Sequence, residues 1–138
     1  MASTLKDDCL FCAMIQGKIP VLKLLETEKS LVFMDIGPVA EGHTLIIPKY
    51  HCNTMDEVPN EYLEEILPLA KRIAIALEVK DYNVLQNNGK IAHQHVFHVH
   101  FHVIPKPNET EGLGVGWPRV EPGMEALKKV QERVLSKL

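Results

Sequence analysis

The chain has little of what would direct it to a membrane, a secretory route or a nucleic acid. Its longest apolar runs are only a few residues, far short of the roughly 20 that a membrane-spanning helix needs. The opening residues, MASTLKDDC, lack the basic start and apolar stretch of a signal peptide. No block of Lys and Arg is present and the net charge is −3, so we expect no binding to DNA or RNA.

Cysteine is also scarce. There are three cysteines, and two of them form a Cys-x-x-Cys pair, Cys9 and Cys12. The number of cysteines is odd and no secretion signal is present. The Cys9–Cys12 pair therefore favours reduced thiols in a metal or redox site over a structural disulfide. We expect a cytosolic protein that is small enough to enter the nucleus as well.

The remaining composition is that of one soluble globular domain. The 138 residues are 46% hydrophobic and 24% charged, and they contain no repeat, low-complexity tract or internal linker. We therefore predict a single domain over residues 1–138, with a C-terminal tail from about residue 110 to 138.

Hydrophobic periodicity and turn residues predict three helices and five strands. The helices are Leu10–Gln16, Pro59–Glu78 and Met124–Leu138, and the strands are Val21–Glu26, Leu31–Met34, Thr44–Ile47, Tyr82–Gln86 and Val96–Ile104. Most connections are short enough for hairpins, so we expect an α+β fold with a mainly antiparallel five-stranded sheet, one long helix and one C-terminal helix.

The long helix carries more apolar residues than one core-facing stripe requires. The stripe includes Leu67 and Leu77, while Leu69 and Ile75 lie outside it. This extra width indicates a second partner, such as the same helix in another subunit. Pro68 lies inside the helix and is expected to bend it.

Histidine is the residue that the chain has in abundance. Five of the seven histidines lie between His93 and His102, and three of them alternate as His98, His100 and His102. In a strand these three imidazoles share one face, while the apolar residues between them turn into a core. The alternative is an incidental, solvated His-rich tract, which the interleaved core residues disfavour. The row offers candidate nucleophiles, proton donors and metal ligands.

The segment His98-Val-His-Phe-His-Val-Ile resembles the motif of the histidine triad family. Further likenesses to that family cover residues 11–20, 33–38, 41–51 and 85–89, and Gly116-Trp117-Pro118 is similar to the tail of its nucleotide-binding (Hint) branch. The resemblance implies a histidine-triad fold whose sheet extends across a homodimer.

The same resemblance implies hydrolysis of nucleoside 5′-monophosphate conjugates, of the purine nucleoside phosphoramidase type. His100 would attack the α-phosphorus and form a covalent nucleotidyl-histidine, His102 would donate to a phosphate oxygen, and His98 would help to fix the row. Two alternatives remain open at this point: a dinucleoside polyphosphate hydrolase, and a non-catalytic purine nucleotide-binding or scaffold protein.

One segment departs from the family pattern. A Gly-Gln-Ser or Gly-Gln-Thr sequence usually precedes the triad, whereas this chain has His93-Gln94-His95. His95 lacks the hydroxyl of the family residue, and we expect it to act as the general acid in its place.

The resemblance also implies a set of nucleotide-binding residues. Asp35 would bind the ribose hydroxyls, and the base and phosphate would be surrounded by Phe11, Met14, Ile36, Asn87, Gln94 and Val96. A carboxylate suits ribose because it can accept from both hydroxyls. From the residues alone, Asp35 could instead cap the loop before Gly37, and the apolar residues could be ordinary core.

Finally, the resemblance implies a structural zinc site. Its ligands would be Cys9, Cys12, His51 and His98, which fill the four positions of a structural site. Cys52 is a possible competitor for His51, but it should point the other way in an extended segment. The alternative is a pair of buried free thiols.

Overall fold

The computed structural model describes residues 4–138, and the first three residues of the predicted domain 1–138 lie outside the described residues. Five strands form one antiparallel sheet in the order β1-β2-β3-β5-β4. The strands are β1 Lys23–Glu26, β2 Ser30–Met34, β3 Thr44–Pro48, β4 Tyr82–Gln86 and β5 Phe101–Pro105. The helices are α1 Leu10–Ile15, α2 Asn60–Leu63, α3 Ile66–Ala76 and α4 Met124–Leu135. The predicted α+β class and five-stranded antiparallel sheet are confirmed.

The two faces of the sheet bury different clusters, because neighbouring side chains on a strand point to opposite sides. On one face, Val99, Phe101 and Val103 pack with Val32 and Ile46 against α3. On the other face, residues of β2 and β3 pack against α1 in a cluster of Leu31, Phe33, Leu45, Ile47, Phe11, Cys9 and Cys12. The histidines therefore alternate with core residues, as predicted, and His102 lies in β5 between Leu45 of β3 and Leu85 of β4.

The predicted long helix, Pro59–Glu78, is wrong as one continuous element. It is divided into α2 and α3 by a turn at Glu64 and Glu65. Pro68 has no N–H to donate to the carbonyl of Glu64, and its ring would collide with that group in a continuous helix. The helix therefore restarts at Ile66, which leaves Pro68 in the first turn of α3, where proline is tolerated.

The predicted division of apolar residues on this helix also needs correction. Leu69 is only 4% exposed and belongs to the core, whereas Leu67 is 65% exposed and Ile75 is 67% exposed. Leu67 and Ile75 lie two turns apart, so they share one outward face of α3.

The predicted histidine strand, Val96–Ile104, is too long, because only residues 101–105 pair in the sheet. The pairing with β3 ends at Ile46 and Phe101, and Pro48, two residues further along β3, has no N–H for another ladder bond. The Pro48 carbonyl is bonded to His98 Nε2 at 2.9 Å. Val99 instead donates its N–H to the Cys52 carbonyl at 3.0 Å. The segment before β5 is therefore held by separate contacts to the Pro48 and Cys52 carbonyls and not by a strand ladder.

The C-terminal region makes little contact with this core. Helix α4 ends at Leu135 rather than at the predicted Leu138, and it contains no buried residue. Its apolar residues Leu127, Val130 and Val134 are exposed. None of the helices within residues 4–138 has the length and apolar character to cross a membrane.

Candidate active site and metal site

A cavity of about 510 Å³ lies beside the histidines, between α1 and the sheet. Its lining includes the apolar residues Leu10, Val21, Phe33 and Leu45. The predicted site residues that line it are Phe11, Met14, Asp35, Ile36, Asn87, His95, Val96, His100 and His102. Nine residues predicted from scattered segments are thus brought together in one cavity.

Gln94 does not line the cavity, so its predicted role in substrate binding is not supported. Its side chain is 1% exposed. The Oε1 atom accepts from the Gly89 N–H at 2.7 Å, and Nε2 donates to the Asn53 carbonyl at 2.6 Å. With both ends of the amide engaged, Gln94 holds the loop in place rather than contacting a ligand.

His100 has one ring nitrogen held by the backbone. Its Nδ1 lies 2.6 Å from the His98 carbonyl, which can only accept, so Nδ1 carries the proton. The other nitrogen, Nε2, is then an unprotonated lone pair. Burial is the main cause that lowers the pKa of His100, partly offset by that carbonyl bond. A neutral, oriented imidazole of this kind is a competent nucleophile near pH 7.

His102 is oriented by His43, a residue that the sequence analysis missed. The Val39 N–H donates to His43 Nδ1 at 3.1 Å, so the proton of His43 is on Nε2. His43 Nε2 donates in turn to His102 Nδ1 at 2.9 Å. The remaining proton of His102 is therefore on Nε2, where it can be donated to a ligand.

Burial is the main reason that the pKa of His102 falls to about 4, and the neighbouring His100 and His43 add to the effect. His102 is thus a neutral donor. His43 follows Gly42 directly before β3, but its contact with His102 depends on the pairing of β3 with β5. That register is not visible in a sequence.

Asp35 combines the two interpretations that the sequence left open. Its Oδ1 accepts from the Gly37 N–H at 2.8 Å, which is the loop cap. Its Oδ2 lies 3.6 Å from His43 Nε2, and the residue lines the cavity. A carboxylate has acceptor sites to spare, so the loop contact leaves room for hydroxyl groups of a ligand.

The predicted metal ligands Cys9, Cys12, His51 and His98 converge, with all four donor atoms within 4.8 Å of one another. Cys12 Sγ lies 3.3 Å from His51 Nδ1, and Cys9 and Cys12 Sγ each lie 3.5 Å from His98 Nδ1. Tetrahedral zinc, with Zn–S near 2.3 Å and Zn–N near 2.0–2.1 Å, places S and N about 3.5 Å apart. The donor set therefore fits zinc.

The protonation of these groups also suits a metal. His98 Nε2 donates to the Pro48 carbonyl, which leaves Nδ1 free to coordinate. Burial lowers the pKa of His98 to about 4, so this ring is neutral. Burial raises the pKa of the Cys12 thiol to about 11, so metal binding there has to release a proton. Cys52 does not compete for the site, because it packs in the cluster on the α3 side of the sheet.

A second group of possible ligands, Asp35, His43 and His102, also converges. Here the rings of His43 and His102 are already hydrogen-bonded to each other at 2.9 Å. The hydrogen bond that orients His102 therefore accounts for the close approach of the rings in this second group.

Comparison with known proteins relates this geometry to a family. Residues 16–109 match the model of the HIT domain. The chain is 53% identical to adenosine 5′-monophosphoramidase HNT1 of Saccharomyces cerevisiae, over 99% of this chain and 86% of that protein. It is 52% identical to adenosine 5′-monophosphoramidase hnt1 of Schizosaccharomyces pombe, over 94% of this chain and 98% of that protein.

A solved structure agrees with the sequence matches. The histidine triad nucleotide-binding protein of Candida albicans superposes with a TM-score of 0.90 and 47% identity, covering 94% of this chain and 96% of that chain. Fold, site and sequence agree, and the chain belongs to the histidine triad family, defined by its HIT domain.

Proposed function

We propose that this protein hydrolyses nucleoside 5′-monophosphate conjugates, as a purine nucleoside phosphoramidase, through a covalent nucleotidyl-His100. The observation that carries the proposal is the neutral His100 ring in the cavity wall, with Nδ1–H held by the His98 carbonyl at 2.6 Å. Relatives at 53% and 52% identity are named adenosine 5′-monophosphoramidases, which supports the same activity here.

In this proposal the nucleotide lies in the cavity in the orientation that the family resemblance implies. The base lies against Phe11, Met14 and Ile36, which line the cavity. The ribose hydroxyls then face Asp35, which accepts from them. The α-phosphate lies at His100 and His102, with Asn87 and Val96 beside it on the side of the leaving group.

The reaction then takes two steps. His100 Nε2 attacks phosphorus, so a P–N bond to the imidazole forms as the bond to the leaving group breaks. His102 Nε2–H donates to a phosphate oxygen and stabilises the charge that builds there. His95 protonates the departing nitrogen. Water then attacks the nucleotidyl-histidine, which releases the nucleoside monophosphate and restores the free ring.

Zinc has a structural part in this proposal. Cys9, Cys12, His51 and His98 would hold the ion, and four protein ligands leave no open position for catalysis. When bound, the ion would tie α1 to His98. Because the His98 carbonyl accepts from His100, the metal site and the nucleophile are connected through one residue.

We also propose that the protein is a homodimer whose sheet continues across the interface. Strand β4 is an edge strand, and Tyr82 and Val84 on it are 43% and 42% exposed. The exposed Leu67 and Ile75 on α3 add apolar surface. An unpaired edge with apolar side chains favours pairing with another chain. Sedimentation that shows a monomer at micromolar concentration would contradict this.

The first experiment compares adenosine 5′-phosphoramidate with diadenosine polyphosphate as substrates for the wild type and His100→Ala, with metal content measured on the same samples. We expect rapid cleavage of the phosphoramidate by the wild type. His100→Ala should lose turnover and keep AMP binding, which serves as the control for folding.

The two alternative functions give different results. Preferential cleavage of the dinucleotide would favour a dinucleoside polyphosphate hydrolase. No turnover of either substrate, together with tight AMP binding by the wild type, would favour a non-catalytic nucleotide-binding protein.

A further inference from the structure

His93 and His95 form a pair of rings at the cavity wall that the proposed reaction does not fully explain. Both rings are exposed and both line the cavity. Their Nε2 atoms lie 3.3 Å apart, with ring centroids at 4.3 Å and planes at 76°. Within residues 4–138, neither ring has a side-chain hydrogen bond to any other residue.

The distance between the two Nε2 atoms matches two ligands of one metal ion. The ring centroids are closer than the 5.2 Å between His51 and His98, so the two exposed rings would turn to aim both nitrogens at the ion. Two nitrogens that are each 2.0–2.1 Å from a tetrahedral ion lie about 3.3–3.4 Å apart. The alternative is a direct hydrogen bond between the two rings, which would be a long one at 3.3 Å. We propose that His93 and His95 form a second metal site, which binds a divalent transition-metal ion such as Ni²⁺ or Zn²⁺ at the cavity wall.

The backbone that carries both rings is held in place before any ion binds. The His93 N–H donates to the Lys90 carbonyl at 3.0 Å and the Gln94 N–H to the Gly89 carbonyl at 3.0 Å. The buried Gln94 side chain anchors the same loop at the Gly89 N–H and the Asn53 carbonyl. The backbone therefore needs little ordering on binding, and the ordering cost falls on the two side chains.

His93 adopts a backbone conformation that glycine favours. Its φ is +72°, and a left-handed conformation costs a residue with a Cβ about 1–2 kcal/mol. This chain accepts the strain at position 93 and has an imidazole there beside His95. Strain retained at a cavity is the kind of outlier from which a functional role can be inferred.

A bound ion would affect the reaction through His95. Two protein ligands leave open coordination positions, which water or an oxygen of a bound phosphate can fill. The ion would also occupy His95 Nε2 and so prevent that atom from carrying a proton to the leaving group. This inhibitory effect rests on the proposed function, whereas the binding of the ion does not.

The test is a titration of the zinc-loaded protein with Ni²⁺, in which calorimetry measures the binding. The proteins are the wild type, His93→Gly, His95→Ser and the control Lys90→Ala, which alters an exposed side chain of the same loop. We expect one Ni²⁺ per wild-type chain, unchanged binding by Lys90→Ala, and binding at least about tenfold weaker in each histidine variant. Glycine relieves strain at position 93, so that variant should fold; thermal unfolding checks it.

Equal Ni²⁺ binding by the wild type and both histidine variants, or no binding by the wild type, would overturn the site. A second experiment measures the rate of adenosine 5′-phosphoramidate hydrolysis by each protein with and without Ni²⁺, and the first rate is divided by the second. A ratio well below one for the wild type and near one for His93→Gly supports inhibition through the pair, and a wild-type ratio of one overturns it. If no protein shows turnover, the proposed function fails while the calorimetry still decides the metal site.

Discussion

His43 should control catalysis without contacting the reacting atoms. It accepts from the Val39 N–H at Nδ1 and donates from Nε2 to His102 Nδ1 at 2.9 Å. Substituting His43 by Asn or by Gln tests these two hydrogen bonds one at a time. The amide group of Asn lies near the position of the His43 Nδ1 atom, and the amide group of Gln lies near that of Nε2. His43→Asn keeps an acceptor for Val39 and removes the donor to His102, whereas His43→Gln keeps that donor.

The magnitude follows from the lost hydrogen bond. A buried acceptor left without its donor costs about 1–3 kcal/mol. In His43→Asn this cost falls on the His102 form whose proton is on Nε2, which is the form that can donate to phosphate. Since about 1.4 kcal/mol is a factor of ten, kcat should fall about 5- to 100-fold. His43→Gln should lose much less.

The assay is steady-state hydrolysis of adenosine 5′-phosphoramidate by the wild type and both variants, with AMP affinity measured in parallel. A positioning role predicts a loss in kcat with AMP binding retained. Wild-type kcat in His43→Asn, or equal losses in the two variants, would refute the orientation of His102 by His43. A loss of AMP binding equal to the loss of kcat would point to a collapsed site instead.

Three further results are expected. Cys12→Ser should bind no zinc and lose at least about 3 kcal/mol of unfolding free energy, whereas the control Cys52→Ala should still bind zinc. Metal analysis and urea unfolding measure the two effects, and zinc retained by Cys12→Ser would contradict the site. Acid should destabilise the fold through His102, because burial lowers the pKa of this ring to about 4 in the folded chain. Below about pH 6.5 the unfolded chain takes up a proton on His102 and the folded chain does not. The contribution of His102 to stability is therefore full above that pH and is lost as the pH falls towards 4. Between pH 7.5 and 5 the loss from this half-buried ring should be about 1–2 kcal/mol in urea unfolding, and a His102→Asn variant with the same pH slope would rule out His102 as its source. Asp35→Asn should weaken AMP binding about tenfold, since an amide oxygen can accept from one hydroxyl but its nitrogen cannot; an unchanged Kd would remove Asp35 from the ribose site.

Local sequence patterns were sufficient where one short segment carries the information. The alternation of His98, His100 and His102 with apolar residues requires only the two-residue repeat of an extended chain. The same is true of the sheet class, since short connections lead to antiparallel neighbours. Pro68 was correctly expected to disturb its helix, although the break between α2 and α3 is sharper than a bend.

Contacts between distant segments were decided by the tertiary structure. The burial of Leu69 and the exposure of Leu67 depend on how α3 is rotated over the sheet, which helical periodicity alone did not define. His43 meets His102 only because β3 pairs with β5 in one register. His98 is held by the carbonyl of Pro48, which lies 50 residues away in the chain.

The residue types of the site were thus determined by the sequence, and their chemical states by the fold. Three alternating histidines specify which rings can react. Which nitrogen carries a proton is decided by the His98 carbonyl for His100 and by His43 for His102. Burial then keeps both rings neutral, as the lowered pKa values indicate. Proton positions depend on partners in space, and a linear pattern contains no record of them.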